Sequence, residues 1–267
     1  MPATATRVGA EERRGAIMEM LERSASVQVS ELTRTFGVSA VTVRADLDAL
    51  ERDGKLRRTH GGAMSLHRAI TVSVQDRRVN VNVGAKQAIA RTAIALVENG
   101  DTVVVDSGTT ALEFVRMLDM RSGITVITAD VTIANHIDAS MPTVDVMLLG
   151  GSLRKGHRYL YGPLALRSLE VLHADLAVIC PGAYAPGKGF LTDFPQMAEV
   201  KAALLKTASR TAALMDASKV GARGIMRFAG LDEVDAIVMD RDPEGAVARE
   251  IEDVSERGGA APRLMLA

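Results

Sequence analysis

The chain has a single cysteine, Cys180, in 267 residues. One cysteine closes no internal disulfide and forms no Cys-x-x-Cys pair, which fits a reducing compartment such as the cytoplasm. An excess of charge is also missing. Thirty-two Lys and Arg stand against 33 Asp and Glu, so no chain-wide basic field marks a nucleic-acid partner. Nowhere do about 18 apolar residues run uninterrupted, and residues 1–14 contain no apolar core, so neither a membrane span nor a signal peptide is expected. The five histidines, His60, His67, His136, His157 and His173, show no HxxxH or HExxH spacing. No metal site or cofactor is therefore expected. What is present is a globular composition, 47% apolar and 24% charged, which excludes disorder for the bulk of the chain. At about 150 residues per domain, the length predicts two domains or one large one.

Composition changes near residue 80. Before it lie short helical patterns rich in Arg and Glu. After it, short runs of Val, Ile and Leu alternate with helical patterns, the signature of βαβ units. We read residues 10–66 as a small domain, 67–82 as a linker without clear period, and 83–257 as a larger domain. Strands are expected over 102–105, 124–128, 145–149, 175–180, 211–215 and 235–239, all short and apolar as strands buried on both faces are. Between them, 86–98, 110–118, 164–172 and 195–208 carry apolar residues at helical spacing. The expected fold class is α/β, with an open, mainly parallel sheet. The stretch Gly258, Gly259, Ala260, Ala261, Pro262 reads as a loose tail.

In the small domain, Ile17 and Leu21 give a first helix its inner face. Ser30 is the expected N-cap of a short second helix with Leu32 and Phe36 inside, and Gly37 supplies the left-handed residue that ends it. Ser39 caps a third helix with the inner stripe Val43, Leu47 and Leu50, which ends at Asp53 and Gly54. Two helices joined by a three-residue, glycine-containing turn make a helix-turn-helix, whose second helix enters the major groove by its N-terminus. The candidate DNA contacts there are Ser39, Ala40, Thr42, Val43 and Arg44, with Val41 and Ala45 beside them. Arg44 can fork onto a guanine edge, and the hydroxyls suit phosphate oxygens. Arg57, Arg58 and His60 follow in residues 54–75, which no acid interrupts, and read as a β-wing on the DNA backbone or in the minor groove. The near-neutral total hides this placement: residues 1–68 hold eleven Lys and Arg against nine Asp and Glu, or +2, leaving −3 for the rest. The competing reading is a protein-binding module with solvated arginines.

Ligands of an open parallel sheet bind beyond the C-terminal strand ends. At those positions small, hydroxylic and charged residues recur. Gly108 allows close backbone approach, and the N–H groups that open the helix at Thr109 and Thr110 favour an anion. Ser107, Thr109 and Thr110 add hydroxyls. Lys219, Lys201 or Arg154 could neutralise a phosphate, and Asp106 or Asp130 could accept bonds from sugar hydroxyls. With Thr128, Gly151 and Gly182, these form the expected effector set, suited to a small phosphorylated sugar or polyol. Each piece alone is ambiguous, since a DSGTT stretch is as often a plain strand-to-helix turn and a lone lysine is usually solvated. Cys180 reads as a buried strand residue rather than a nucleophile.

Residues 27–63 resemble the N-terminal module of the DeoR family of bacterial transcriptional regulators. The resemblance rests on Glu31-Leu32, Val38-Ser39, Thr42-Val43-Arg44, Asp46-Leu47, Leu50 and Arg58-Thr59-His60-Gly61-Gly62-Ala63. The chain departs at Ala45, where many members carry a second Arg. The larger region resembles the family's effector domain, related to ribose-5-phosphate isomerase, through Lys86, Asp106 to Thr110, Leu149-Gly150-Gly151, Gly162, Gly182-Ala183, Glu199 with Lys201, and Asp216 with Ser218-Lys219. Here the departure is Tyr184, where many members read Gly-Ala-Asp-Gly. The resemblance implies a winged helix-turn-helix regulator, a repressor of a carbohydrate or polyol catabolic operon. It would bind double-stranded operator DNA as a homodimer or higher homo-oligomer, on half-sites about 34 Å apart. A phosphorylated sugar would set that affinity through the linker. The alternative is an active sugar-phosphate isomerase with an accessory DNA module. Isomerisation needs a positioned carboxylate, which Tyr184 cannot be and Glu199 could be.

Overall fold

The computed structural model describes residues 9–23, 26–59, 61–65 and 79–267, and the chain divides into two compact units between Val72 and Ser73. His60 and residues 66–78, most of the expected linker, lie outside the described residues.

The small unit runs α1 (Ala10–Arg23), β1 (Ser26–Gln28), α2 (Val29–Phe36), α3 (Ala40–Arg52), β2 (Leu56–Thr59) and β3 (Gly62–Ser65). β3 lies between β1 and β2, antiparallel to both. The helices close over Ile17, Leu21, Leu32, Val43 and Leu47, with Leu56 of the wing beneath them. Gly37, at φ 63°, ends α2, and the Ser39 hydroxyl accepts the Thr42 N–H at 3.1 Å to start α3. Ser30 is not the cap of α2: the helix starts at Val29, with the extended Gln28 in the N-cap position making no side-chain bond. The Val29 N–H donates instead to the Gly61 carbonyl of the wing at 2.8 Å, so a tertiary contact takes the place of a local cap. The neighbouring Gly62 has to be glycine, because a Cβ there would lie 1.9 Å from the Val27 carbonyl oxygen.

α1 is held on α3 by charge as well as apolar packing. Asp46, 3% exposed, accepts from Arg13 Nε at 2.5 Å and from Arg14 Nε at 3.1 Å.

The larger unit comprises α4 (Val83–Ala93), β4 (Thr102–Val105), α5 (Thr109–Val115), β5 (Thr125–Thr128), α6 (Val131–Ser140), β6 (Asp145–Leu148), β7 (Ser152–Arg154), β8 (Tyr159–Tyr161), α7 (Pro163–Glu170) and β9 (Ala174–Ile179). It continues with β10 (Ala183–Ala185), β11 (Gly189–Thr192), α8 (Pro195–Thr207), β12 (Ala208–Leu214), β13 (Met226–Ala229), β14 (Ala236–Met239), α9 (Ala246–Glu256) and β15 (Arg263–Leu266). Seven parallel strands form the main sheet in the order β15-β14-β12-β9-β4-β5-β6. Both faces are covered except at the edge strand β6, where Met147 and Leu148 stay exposed. Val103 and Val105 pack with Ile89, Phe114 and Ile133 of α4, α5 and α6, while Val104 turns the other way onto Leu169, Val200 and Leu204 of α7 and α8. β10, β11 and β13 make a small antiparallel sheet, and β7 and β8 a hairpin.

The expected end of the larger domain at residue 257 is too early. Residues 263–266 are not a loose tail, because they pair in parallel with β14 as the seventh strand. As a partly exposed edge strand that opens on Arg263, β15 lacks the continuous apolar run that marks β4 and β14. The chain builds β4, β5 and β6 in one direction, then returns beside β4 as β9 and continues to β12, β14 and β15. This reversal between β4 and β9 opens a crevice at the strand C-termini.

Replacing Asp46 by Ala removes the carboxylate that both arginines share. We expect the small unit to lose about 3 kcal/mol or more, the usual cost of breaking a buried pair from one side. Hydrogen exchange on the full chain checks this: α1 and α3 should lose protection while the parallel sheet keeps it, and unchanged protection in α3 would disprove the staple.

Candidate functional site

Asp106 follows β4 at the head of the crevice, and its side chain is completely buried. Lys201, on the second turn of α8 and 4% exposed, pairs with Asp106 Oδ2 and donates to the Cys180 carbonyl at 2.9 Å. The Cys180 N–H reaches the same Asp106 oxygen at 2.8 Å, and the Ser107 N–H reaches the other at 2.7 Å. One carboxylate thereby joins the ends of β4 and β9 to α8. Asp130, also fully buried, accepts the Thr132 N–H at 2.7 Å to cap α6, and takes the Gly108 N–H at 3.2 Å. Thr128 Oγ1 donates to the Val105 carbonyl at 2.8 Å. The loop 106–110 is thus held from both sides.

A cavity of about 330 Å³ opens over that loop. Of the expected effector residues, Ser107, Gly108, Thr109, Thr110, Arg154, Gly182, Lys201 and Lys219 line it. Asp106, Thr128, Asp130 and Gly151 do not. The two aspartates, expected to meet ligand hydroxyls, spend one oxygen each on the loop and the other on Lys201 with Cys180 or on the start of α6, and Thr128 spends its hydroxyl on β4. Gly151, at φ 142°, serves the β7–β8 hairpin, where a Cβ would lie 2.6 Å from the Tyr161 carbonyl oxygen. The charge of Lys201 is likewise already matched by Asp106.

Several lining residues stand outside the expected set: Asn82 and Lys86 at the start of α4, His157 and Tyr159 on the hairpin, Phe194 before α8, and Asp216 with Ser218 beside Lys219. Asp216 and Ser218 were within reach of the sequence, since an Asp two residues before a Ser is a local capping pattern. The hairpin residues had no such signal, because three-residue strands carry no period.

Burial alone would raise the Asp216 carboxyl, but the Ser218 hydroxyl, the Lys219 charge, the Ser218 N–H and the Asn82 amide hold it below its ordinary range. Lys219 Nζ lies 4.0 Å from Asp216, and Asn82 Nδ2 donates to Asp216 at 3.2 Å.

Tyr184 does not enter the cavity. It is fully buried against Phe190, with ring centroids 5.3 Å apart, and its hydroxyl donates to Glu250. Burial, and then the Glu250 hydrogen bond and charge, push the phenol proton affinity up. Glu199 is exposed and does not line the cavity either.

On the small unit, Ser39, Arg44 and Arg57 are exposed, and Thr42 and Ala40 are half-buried. Val43 is not a DNA contact, because it is completely buried in the helical core. Val41 is 72% exposed on the same first turn of α3. Arg58 Nη1 pairs with Asp48 and donates to the Arg44 carbonyl at 3.1 Å, tying the wing to α3. His60 lies outside the described residues.

Cys180 is half-buried at the cavity wall rather than sealed in the sheet, yet desolvation, and then the neighbouring Asp106 charge, raise its thiol well above its ordinary value. We expect iodoacetamide at pH 8 to leave Cys180 unmodified in the folded protein and to label it in urea. Full labelling of the native protein within minutes, read by mass spectrometry, would contradict this.

The DeoR C terminal sensor domain family matches residues 81–241, and the DeoR-like helix-turn-helix domain family matches residues 13–69. The HTH-type transcriptional regulator GolR of Listeria innocua is 31% identical over 243 residues, which cover 91% of this chain and 95% of that protein. The HTH-type transcriptional repressor GlcR of Bacillus subtilis is 31% identical over 252 residues, covering 93% and 94%. The transcriptional repressor AccR of Agrobacterium fabrum is 30% identical over 231 residues, covering 86% and 89%. A solved ribose 5-phosphate isomerase from Methanocaldococcus jannaschii overlaps 52% of this chain and 55% of its own at 16% identity, with a TM-score of 0.39, a likeness too slight to build on. A helix-turn-helix unit joined to a parallel-sheet sensor unit, with both family matches in register, makes this chain a member of the DeoR family of transcriptional regulators.

Proposed function

We propose that the protein is a cytoplasmic repressor of a carbohydrate or polyol operon, and that a phosphorylated sugar or polyol bound in the crevice alters its affinity for operator DNA. The observation that carries this reading is the loop 107–110, which brings three hydroxyls to one cavity wall near Lys219. Gly108 keeps φ at 131° with open space where a Cβ would stand, so a ligand oxygen can approach the backbone there. Hydroxyl donors beside a lysine suit a phosphate and its attached polyol. A volume of about 330 Å³ sits at the small end of ligand sites, which run from about 300 to 1,000 Å³, and suits one monosaccharide phosphate.

Binding without turnover is the favoured reading. Glu199, the carboxylate that an isomerase would draw on, is exposed outside the cavity. A ligand can shift operator affinity only by its preference for one state of the protein, typically about 1 to 3 kcal/mol. Asn82, at the end of the expected linker, lines the cavity and holds Asp216, which supports coupling through residues 67–82. A helix-turn-helix reads few base pairs, so two or more copies would engage half-sites about 34 Å apart.

Arg44→Ala should weaken operator binding by about 1 to 3 kcal/mol and relax specificity at one base position, as measured by quantitative footprinting. Undiminished affinity and specificity would remove Arg44 from the interface. Wild-type affinity for promoter DNA should fall steeply on a log–log plot against salt, and a flat line would favour a protein-binding module instead. Lys219→Ala and Thr110→Val should retain DNA affinity and blunt the response to a panel of sugar phosphates. Turnover of any of these at enzymatic rates would sink the regulator-only reading.

A further inference from the structure

The chain is poor in aromatic residues, with three Tyr and five Phe, yet Tyr159 and Phe194 line one wall of the cavity beside Arg154, with Tyr161 packed on Phe194. The Arg154 guanidinium carbon lies 3.9 Å from the Phe194 ring centroid and 5.6 Å from that of Tyr159. Its Nη1 donates to the Tyr159 hydroxyl at 2.6 Å. Phe194 is braced in turn by Tyr161, edge-on at 5.4 Å. Aromatic faces hold a guanidinium by its plane and leave its in-plane N–H groups to donate elsewhere.

The cavity's other cations are differently placed. Lys86 donates to the Val81 carbonyl, Lys201 is matched by Asp106, and Lys219 faces Asp216. Arg154, among the described residues, forms no ion pair, although it lines the cavity with its orientation already fixed. A charged fork held in this way is prepared for a carboxylate or phosphate, which it can grip with two parallel hydrogen bonds.

Position separates this group from the phosphate end. Lys219 follows β12, whereas Arg154 belongs to the hairpin whose Tyr159 bridges to Asp130 beyond β5. Between β12 and β5 the order is β12-β9-β4-β5, three strand spacings or about 14 Å. The loop 107–110 follows β4 within that span. The two cations are thus anchored on opposite flanks of that loop, each facing the same cavity.

We infer that the effector carries a second anionic group, a carboxylate or a phosphate, on the end of the sugar remote from the first, and that Arg154 receives it. This rests on the sugar-phosphate reading above and narrows it to a phosphorylated sugar acid or a sugar bisphosphate. Arg154 is the residue that separates these from singly phosphorylated sugars.

Calorimetry on the full-length protein with matched pairs tests it: glucose 6-phosphate against 6-phosphogluconate for the carboxylate, and fructose 6-phosphate against fructose 1,6-bisphosphate for the second phosphate. At least one doubly anionic member should bind ten-fold or more tightly than its match. Arg154→Met should erase that margin, lowering the doubly anionic ligand at least ten-fold and its match less than three-fold. Arg154→Lys should restore only part of it, because an ammonium lacks the fork. Lys219→Met should weaken both members of the pair. Equal affinities within both pairs, or an Arg154→Met loss of the same factor for each member, would overturn the inference while leaving the sugar-phosphate reading in place. Failure of all four compounds to bind would overturn both.

Discussion

The buried pair of Asp106 and Lys201 is the constraint on which the larger unit's crevice depends. Two charges taken out of water are costly, and they are tolerated only when paired and fully hydrogen-bonded. Asp106 meets that condition by drawing on Lys201, Cys180 and Ser107 together. Those partners come from α8, from the end of β9 and from the loop after β4, the three elements that diverge where strand order reverses. The geometry of the loop 107–110 follows from this pair, and Asp130 adds a second hold from the β5 side.

The small unit solves an analogous problem in the same way. Asp46 sits on the inner face of α3, and Arg13 and Arg14 of α1 meet it there. The angle at which α3 presents Arg44 is therefore tied to α1, and Arg58 ties it to the wing as well. In both units a buried carboxylate is spent on alignment, and the cavity of the larger unit is left with hydroxyls and cations beside Asp216.

Much of the architecture was legible because it follows from short-range rules. Strands buried on both faces are bound to be apolar along their whole length, and helices carry their inner stripe at three-to-four spacing. Gly37 and Ser39 mark the turn before α3 by conformation and capping, which neighbouring residues settle between themselves. The elements that escaped are three-residue strands and an exposed edge strand, which carry neither a period nor a continuous apolar run. The β7–β8 hairpin, β10 and β15 fall in this group, and with the hairpin went Tyr159 as a partner for Arg154. Ser30 misled for a different reason, since the Gly61 carbonyl arrives from the wing to do what a local cap would have done.

The sequence by itself determined the two units, the parallel order of apolar strands, the helix-turn-helix, and the residue types at the strand C-termini. Each of these is encoded within a window of a few residues, where sterics and burial act locally. Only the tertiary structure decided which of those residues face the cavity. Asp106, Thr128 and Asp130 turned inward because a buried strand end needs its backbone donors and acceptors satisfied, and residues from distant strands supply them. Val43 keeps to the inner stripe that it shares with Leu47 and Leu50, and its burial there removes it from the DNA contacts. Arg154 became a cavity residue because Phe194, forty positions along the chain, folds back over its guanidinium.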